Sequence, residues 1–283
     1  MTFREAAAVL GAAGIRDAAF EAGLIARHFC GVPRHELLWD TDRELGGGRF
    51  ASAVERRASR EPLQYILGSW SFYGREFRLS RDCLIPRPDT ETVAEAAVSR
   101  LPRGACFCDI GTGCGTLSVT LLCERQDCSA VATDISQGAL RTARRNARDL
   151  GVKDRAVFSL CDVFDDAGCR RISPAEGFDA VVSNPPYIPS GEIGSLEPEL
   201  AFEPRAALDG GEDGLDFYRR IISLCFGSWT GDRPFLRPGG PLIFEAGAGE
   251  AEAIAEAGRS FGASAETAKD LSGIDRVVIL SLH

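Results

Sequence analysis

The run Ala105-Cys-Phe-Cys-Asp-Ile-Gly-Thr-Gly-Cys-Gly115 decides the fold. Ala105 to Ile110 is an apolar run of strand length, interrupted by one acid, Asp109. Three glycines follow at alternate positions, Gly111, Gly113 and Gly115, and Thr116 then opens a helical stretch to Cys123. Glycine lets a chain turn tightly and approach a ligand where a Cβ would collide. The helix that starts behind it has free N–H groups. A merely structural bend could carry such glycines too. What argues for a nucleotide is the next strand, Ala130 to Thr133, which delivers Asp134 at its end, 19 residues after Gly115. A carboxylate there can accept hydrogen bonds from both hydroxyls of a ribose.

Outward from this unit the pattern keeps alternating. Gln137 to Leu150 reads as a helix, Ala156 to Leu160 and Phe178 to Ser183 as strands, and Leu215 to Cys225 as a helix. Pro241 to Glu245 is a strand, Ala251 to Ala257 a helix, and Val277 to Leu282 a last strand. Strands separated by helices imply right-handed crossovers and a mostly parallel sheet covered on both faces. Ligands on such sheets sit at the carboxyl ends of the strands.

Toward the amino terminus the character changes. Thr2-x-x-Glu5 is a capping-box pattern for a helix from Phe3 to about Ala13. Asp17 can cap a second helix, with Phe20, Leu24 and Phe29 at helical spacing. Pro33 suits the first turn of a short third helix to Leu38, and Phe50 to Ser59 resumes a helix after Gly46-Gly-Gly. In residues 65–80, Trp70, Phe72, Phe77 and Leu79 alternate around Gly74, a hairpin signal. The expected organisation is a helical domain over 1–64 that docks a substrate, a β-hairpin linker over 65–82, and a catalytic domain over 83–283.

The glycine spacing selects the nucleotide. A dinucleotide fingerprint needs G-x-G-x-x-G, but Thr116 stands at the third glycine position and the pattern is G-x-G-x-G. Asp109 ahead of it suits a cofactor with a cationic amino-acid tail rather than a pyrophosphate. The expected cofactor is therefore S-adenosylmethionine, and the fold class is α/β: a Rossmann-like class I methyltransferase. Asp162, after the third strand, is placed to hydrogen-bond an adenine amino group.

Asn184-Pro185-Pro186-Tyr187 follows the strand that ends at Ser183. A proline-stiffened turn explains the prolines but not the flanking Asn and Tyr. Amide chemistry explains all four. An amide nitrogen shares its lone pair with its carbonyl, the resonance behind the ~18–20 kcal/mol rotation barrier of amides. Holding its NH2 hydrogens with two acceptors, and with no competing donor, favours a lone pair localised toward a methyl donor. Proline has no N–H, so Pro185 and Pro186 strip donors from the loop. The Asn184 side-chain oxygen and the Pro185 carbonyl supply the two acceptors. Tyr187 offers a flat face for the amide and a π surface for a sulfonium. Asn184, Pro185 and Tyr187 are the candidate catalytic residues, with Pro186 completing the substrate site.

Composition bounds the rest. The 283 residues are 45% hydrophobic, enough for a normal core, and no run approaches the ~20 apolar residues of a membrane span. The amino terminus is amphipathic rather than a signal sequence, so a cytoplasmic protein is expected. Ten cysteines occur without a C-x-x-C pair, and the three histidines, His28, His35 and His283, lie far from the cysteine-rich region. This favours reduced buried thiols over disulfides or a metal site. The net charge is -9. Residues 1–80 carry 11 basic and 10 acidic side chains, so the acidic excess falls in the remainder. Nucleic-acid enzymes usually show a basic face, which this balance disfavours.

Taken together, these motifs resemble the PrmC/HemK family of release factor glutamine methyltransferases over nearly the whole chain. Glu61-Pro-Leu-Gln-Tyr-Ile-Leu-Gly68 resembles the exit from that family's helical domain, and Ile85-Pro-Arg-Pro-Asp-Thr-Glu91 its signature ahead of the fold. Asp109 to Gly115, Asp134 and Asn184 to Tyr187 resemble its cofactor and substrate motifs, and Glu203-Pro-Arg-Ala-Ala-Leu-Asp-Gly-Gly-Glu-Asp-Gly-Leu215 its stretch after the tetrad. The resemblance implies methylation of the glutamine in the Gly-Gly-Gln loop of class I peptide chain release factors, which modulates translation termination. It implies S-adenosylhomocysteine as product, no metal, a monomer, and no direct nucleic-acid or membrane partner. It also implies cofactor contacts from Asp109, Gly111, Thr112, Gly113, Cys114, Gly115, Asp134, Asp162, Val163 and Asn184. Val163 stands where the family often has tryptophan, leaving less surface against adenine unless Phe164 compensates. Other substrates for this chemistry are a ribosomal-protein glutamine, from which Pro88-Asp-Thr-Glu91 points away, and a nucleic-acid adenine, which the charge disfavours. A scaffold that has lost activity is the non-enzymatic alternative. Asn184 and Tyr187 both being present argues against it.

Overall fold

The structure is a computed structural model that describes residues 1–227 and 234–282. The chain divides into two units. One comprises Met1–Trp70 with Glu197–Phe202, the other Ser71–Leu196 with Glu203–His283.

The first unit is built of α1 (Phe3–Ala12), α2 (Ala18–Cys30), α3 (Arg34–Trp39), α4 (Gly48–Ala58) and α5 (Leu63–Leu67). The Thr2 capping box forms as its sequence predicts. The Thr2 hydroxyl accepts the Glu5 N–H at 3.2 Å, and the Glu5 carboxylate accepts the Thr2 N–H at 2.8 Å. The expected apolar face of α2 is displaced. Phe20 is 44% exposed with the Arg34 guanidinium over its ring, and the buried face is Ala22, Gly23, Ile25 and Ala26. Small residues let α2 close on α1 and α4, and that contact outweighs the large side chains that dominate the periodicity. The remote segment Glu197–Phe202 joins this unit through Glu199. Its carboxylate bridges the buried Arg57 at 3.0 Å and Arg60 at 2.8 Å, while Arg57 also holds Glu21.

The predicted hairpin forms from β1 (Ser69–Phe72) and β2 (Arg75–Arg78). Its two loop residues, Tyr73 and Gly74, both have positive φ, as a type I′ turn requires. Phe72 and Phe77 are buried, ring to ring. There follow α6 (Thr90–Arg100), β3 (Cys106–Ile110), α7 (Thr116–Glu124), β4 (Ser129–Asp134), α8 (Gln137–Asp149), β5 (Ala156–Leu160), α9 (Asp166–Ile172) and β6 (Ala180–Ser183). The second unit ends with α10 (Asp216–Phe226), β7 (Pro241–Glu245), α11 (Ala251–Arg259), β8 (Ser264–Lys269) and β9 (Asp275–Ser281).

The seven-stranded sheet has the order β5-β4-β3-β6-β7-β9-β8, parallel except for the two ladders of β9. Consecutive residues of its central strands enter opposite cores. Val181, Leu242 and Phe244 pack with Tyr218, Ile221 and Ile254 on one face, whereas Val182 and Ile243 pack with Phe107, Leu121 and Val277 on the other. This two-sided burial is why these strands read as unbroken apolar runs. Strand order reverses beside β3, which pairs with β4 on one side and β6 on the other. The carboxyl ends of these strands therefore face the crevice where α/β sheets hold ligands.

Four of these elements are absent from the sequence reading: α5, whose residues 65–67 fall in the expected hairpin linker, α6, α9 and the edge strand β8. Phe178, expected to start β6, lies outside it and pairs with Leu236 through an isolated bridge. All ten cysteines are free, and no described helix is long and apolar enough to cross a membrane.

Candidate active site

A cavity of about 270 Å³ opens at the ends of β3, β4, β5 and β6. On one side lies the glycine loop. Gly111 and Gly113 have φ of 74° and 57°, the left-handed region that favours glycine. The loop is held by β4: the Gly111 and Thr112 N–H groups both donate to the Thr133 carbonyl, at 2.9 and 2.8 Å. From the same strand end, Asp134 accepts the Gly113 N–H at 2.9 Å and the Ser136 N–H at 2.8 Å. Burial raises the Asp134 pKa, and these backbone donors oppose the shift.

Asp109 is 1% exposed and braces the loop from beneath. Its Oδ2 accepts the Thr112 hydroxyl at 2.5 Å and the Ser118 N–H at 3.0 Å. Burial pushes its pKa up to about 6, against the pull of those donors. Gly111, Thr112, Gly113 and Cys114 line the cavity with Asp109 and Asp134, but Gly115 does not. A Cβ on Gly115 would lie 3.0 Å from Val119 Cγ2 and 3.2 Å from Ala143 Cβ, so this glycine serves the packing of α7 against α8.

Opposite the loop the wall is apolar. Val163 is buried, and Phe164 is half exposed with its ring edge-to-face on Phe217 at 5.2 Å. Phe217 and Ile221 also line the cavity. Both were missed in the sequence, where they read only as a helix face. Asp162 lines the cavity, with one oxygen engaged by the Phe164 N–H at 2.9 Å. An apolar wall thus faces the carboxylates of Asp134 and Asp162 and a turn without a Cβ at Gly111 and Gly113.

The tetrad lies at the end of β6. Asn184, Pro185 and Pro186 line the cavity, but Tyr187 does not. The Tyr187 ring borders Gly247, where an added Cβ would sit 3.0 Å from its Cδ2. Burial pushes the Tyr187 phenol up to about 12. The Asn184 amide NH2 donates to the Thr90 hydroxyl at 3.3 Å. The Asn184 side-chain oxygen and the Pro185 carbonyl accept no protein donor among the described residues. Two acceptors thus remain at the cavity wall.

The two outlying motifs close around the tetrad. Ile188 pairs with residues 208–210: its N–H donates to the Leu208 carbonyl and its carbonyl accepts the Gly210 N–H, each at 2.9 Å. A Cβ on Gly210 would lie 2.7 Å from Tyr187 Cα, so only glycine fits there. Glu203 accepts the Ile85 N–H at 3.0 Å and pairs with Arg87, joining the 203–215 stretch to the 85–91 stretch.

Two further residues back this wall and have no role in the sequence reading. Thr90, at the start of α6, is 3% exposed, and Glu245, the last residue of β7, is 1% exposed. Burial pushes the Glu245 carboxyl up to about 7, against the polar groups of Thr90 and Asn184, which favour its charged form. In sequence Glu245 is only the end of an apolar strand. Thr90 carried only the resemblance of its motif.

The chain matches two family models, PrmC N-terminal domain over residues 2–68 and methyltransferase small domain over residues 91–199. It is 40% identical over 270 residues to a release factor glutamine methyltransferase of Geobacter sulfurreducens, covering 94% of this chain and 90% of that one. It is 39% identical over 280 residues to the same-named protein of Cereibacter sphaeroides, covering 97% and 95%. Among solved structures it is similar in fold to a methyltransferase from Pyrococcus furiosus, with a TM-score of 0.53, 19% identity, and 74% and 90% coverage. It is likewise similar to the hMettl16 catalytic domain, with a TM-score of 0.58, 14% identity, and 83% and 79% coverage.

Proposed function

This chain belongs to the release factor glutamine methyltransferase family, and from that premise we propose how its residues carry the reaction. The chain transfers a methyl group from S-adenosylmethionine to the side-chain amide nitrogen of a release factor glutamine, that of the Gly-Gly-Gln loop. Asp134 accepts the ribose hydroxyls. The Gly111 to Gly113 turn admits the cofactor's amino-acid tail, and Asp109, which also lines the cavity, is the acid for its ammonium. Val163, Phe164 and Phe217 flank the adenine, with Asp162 toward its amino group. Phe164 and Phe217 supply the aromatic surface that Val163 lacks. When bound, the cofactor supplies a methyl group made electrophilic by a sulfonium.

The observation that carries the assignment is the unspent acceptor pair. The Asn184 oxygen and the Pro185 carbonyl stand at the cavity with no protein donor on them, and Pro185 and Pro186 bring no N–H to compete. An NH2 group has two donors to give. Gripping both hydrogens selects an amide nitrogen over a hydroxyl and orients its lone pair. Catalysis is then mainly positioning. The methylated amide is strongly acidic and releases its extra proton to solvent, so no histidine base is needed. Tyr187 acts from behind Asn184 and Pro185, its backbone clamped by Gly210, rather than as a wall of the cavity.

A cavity this small cannot choose one glutamine among many, so selection falls to surfaces outside it, and we assign release factor docking to the helical residues 1–64. The near balance of charge over residues 1–80 suits a protein partner better than a nucleic-acid backbone. The test is mass spectrometry of release factor incubated with enzyme and S-adenosylmethionine. One added methyl on the Gly-Gly-Gln glutamine is expected. Undiminished labelling of a release factor whose glutamine is replaced by alanine contradicts the assignment.

A further inference from the structure

We propose that Glu245 is a positioning residue that fixes which end of the Asn184 amide faces the cavity, directly and through the Thr90 hydroxyl. The inference rests on Asn184 acting as an acceptor for the substrate amide. Its ground is the juxtaposition of two strand ends. Parallel pairing of Ser183 with Phe244 sets the next residues, Asn184 and Glu245, side by side.

An asparagine amide is nearly symmetric in shape, so packing alone selects its orientation poorly. Hydrogen bonds must do it. The Thr90 hydroxyl accepts from Asn184 Nδ2 at 3.3 Å, and its single hydrogen is then free for the neighbouring Glu245 carboxyl, whose charged form Thr90 favours. A carboxylate only accepts. Thr90 is therefore kept as a donor toward Glu245 and an acceptor toward Asn184, and Asn184 must turn its NH2 inward. Its oxygen is left for the substrate. A flipped amide would set a donor against the donor of the substrate NH2.

The surroundings show that Glu245 is not simply one half of a buried ion pair. Arg276 from β9 is the cation that acts on it, but that guanidinium is committed elsewhere. It pairs with Asp89 at 3.1 Å and Asp270 at 3.4 Å and donates to the Ala246 carbonyl at 3.0 Å. Asp89, at the head of α6, opposes the Glu245 charge. From α10 the Tyr218 hydroxyl donates to the Glu245 backbone carbonyl at 2.9 Å and leaves the carboxyl alone. Tyr187, with Arg87 near it, and, on the Tyr218 side, Glu250 are the other titratable groups of this cluster. Glu245 Oε2 is buried without a hydrogen-bond partner. Burying a carboxylate with one oxygen unmatched is costly, and apolar packing against β7 could be had without it. An acceptor-only group beside Asn184 is what that cost provides. Protonating Glu245 turns one of its oxygens into a donor and weakens its hold on the amide.

The experiment compares Glu245→Leu, Glu245→Gln and Asn184→Ala in the full chain, with release factor and S-adenosylmethionine. Glu245→Leu is expected to lower kcat at least tenfold with little change in either KM. Glu245→Gln, which like the protonated acid keeps one accepting oxygen beside a donor and does not titrate, is expected to recover only part of that loss. It should also flatten the fall of kcat on the acid side of pH 7 that the wild type is expected to show. Full kcat in a folded Glu245→Leu, or an unchanged acid limb in Glu245→Gln, overturns the proposal, and the second holds even if Glu245→Leu fails to fold. If Asn184→Ala is inactive while Glu245→Leu is fully active, only the role of Glu245 falls. If Asn184→Ala is itself fully active, the acceptor reading falls with it.

Discussion

If Asn184 grips the substrate amide as proposed, its loss should appear in turnover rather than in cofactor binding. Asn184→Ala is expected to cost roughly 3–4 kcal/mol of barrier, by analogy with single oxyanion-hole donors. That is about a hundred- to a thousandfold in kcat, while calorimetric cofactor affinity stays within a few fold. Asp134 has the complementary signature. Asp134→Ala removes charge-assisted acceptors worth ~1.5–3 kcal/mol each, so cofactor Kd should rise by tenfold or more, again read by calorimetry. The buried acids make a further mark. Asp109 is raised from 3.8 to about 6 and Glu245 from 4.5 to about 7. Each holds a proton in the native state at pH values where the unfolded chain has lost it. Their contribution to stability is thus present at low pH and lost as pH rises through the raised values. Urea unfolding at pH 5 and pH 7.5 should show a smaller drop for Glu245→Gln than for the wild type.

At the level of elements, the glycine loop depends on a residue that never meets the ligand. Asn146 on α8 is 1% exposed. Its amide donates to the Cys114 carbonyl at 2.8 Å and the Arg78 carbonyl at 3.1 Å, and its oxygen accepts the Arg78 N–H at 2.9 Å. It ties the loop to the hairpin strand β2. Asn146→Ala leaves the buried Cys114 carbonyl without this partner, at ~1–3 kcal/mol, and the part-buried Arg78 groups without theirs at a smaller cost. A loss of about 2–4 kcal/mol in thermal unfolding is expected, with weaker cofactor binding. Elements were legible where hydrophobic contrast was high. β5 and β7 span the expected residues, because an apolar run bounded by polar turns has one physical meaning. The α6 helix escaped notice because its buried residues include Ala94 and Ala97, too small to stand out as a stripe, and the face of α2 was misplaced for the same reason. The edge strand β8, Ser264-Ala-Glu-Thr-Ala-Lys269, is mostly exposed and carries no apolar alternation to read.

Across the whole molecule, what sequence reveals depends on whether a function is written in neighbouring residues. The glycine loop, Asp134 and Asn184 to Pro186 were legible because each strand end delivers its chemistry in one contiguous run. Thr90, Glu245, Phe217 and Arg276 were not, because they reach the site from separate elements and have no spacing to betray them. The segment Glu197–Phe202 is the same case in the first unit. Glu199→Ala leaves the buried Arg57 with the Glu21 carboxylate and the Glu61 carbonyl and takes the carboxylate from Arg60, so that unit should lose ~1–3 kcal/mol, measured by thermal unfolding. The central claim is that two acceptors without competing donors grip an amide NH2. Its most direct test is a structure of the enzyme with S-adenosylhomocysteine and a release factor. The account predicts the glutamine nitrogen within about 3 Å of both the Asn184 side-chain oxygen and the Pro185 carbonyl. A glutamine nitrogen out of reach of either acceptor, or a glutamine oxygen in its place, would contradict it.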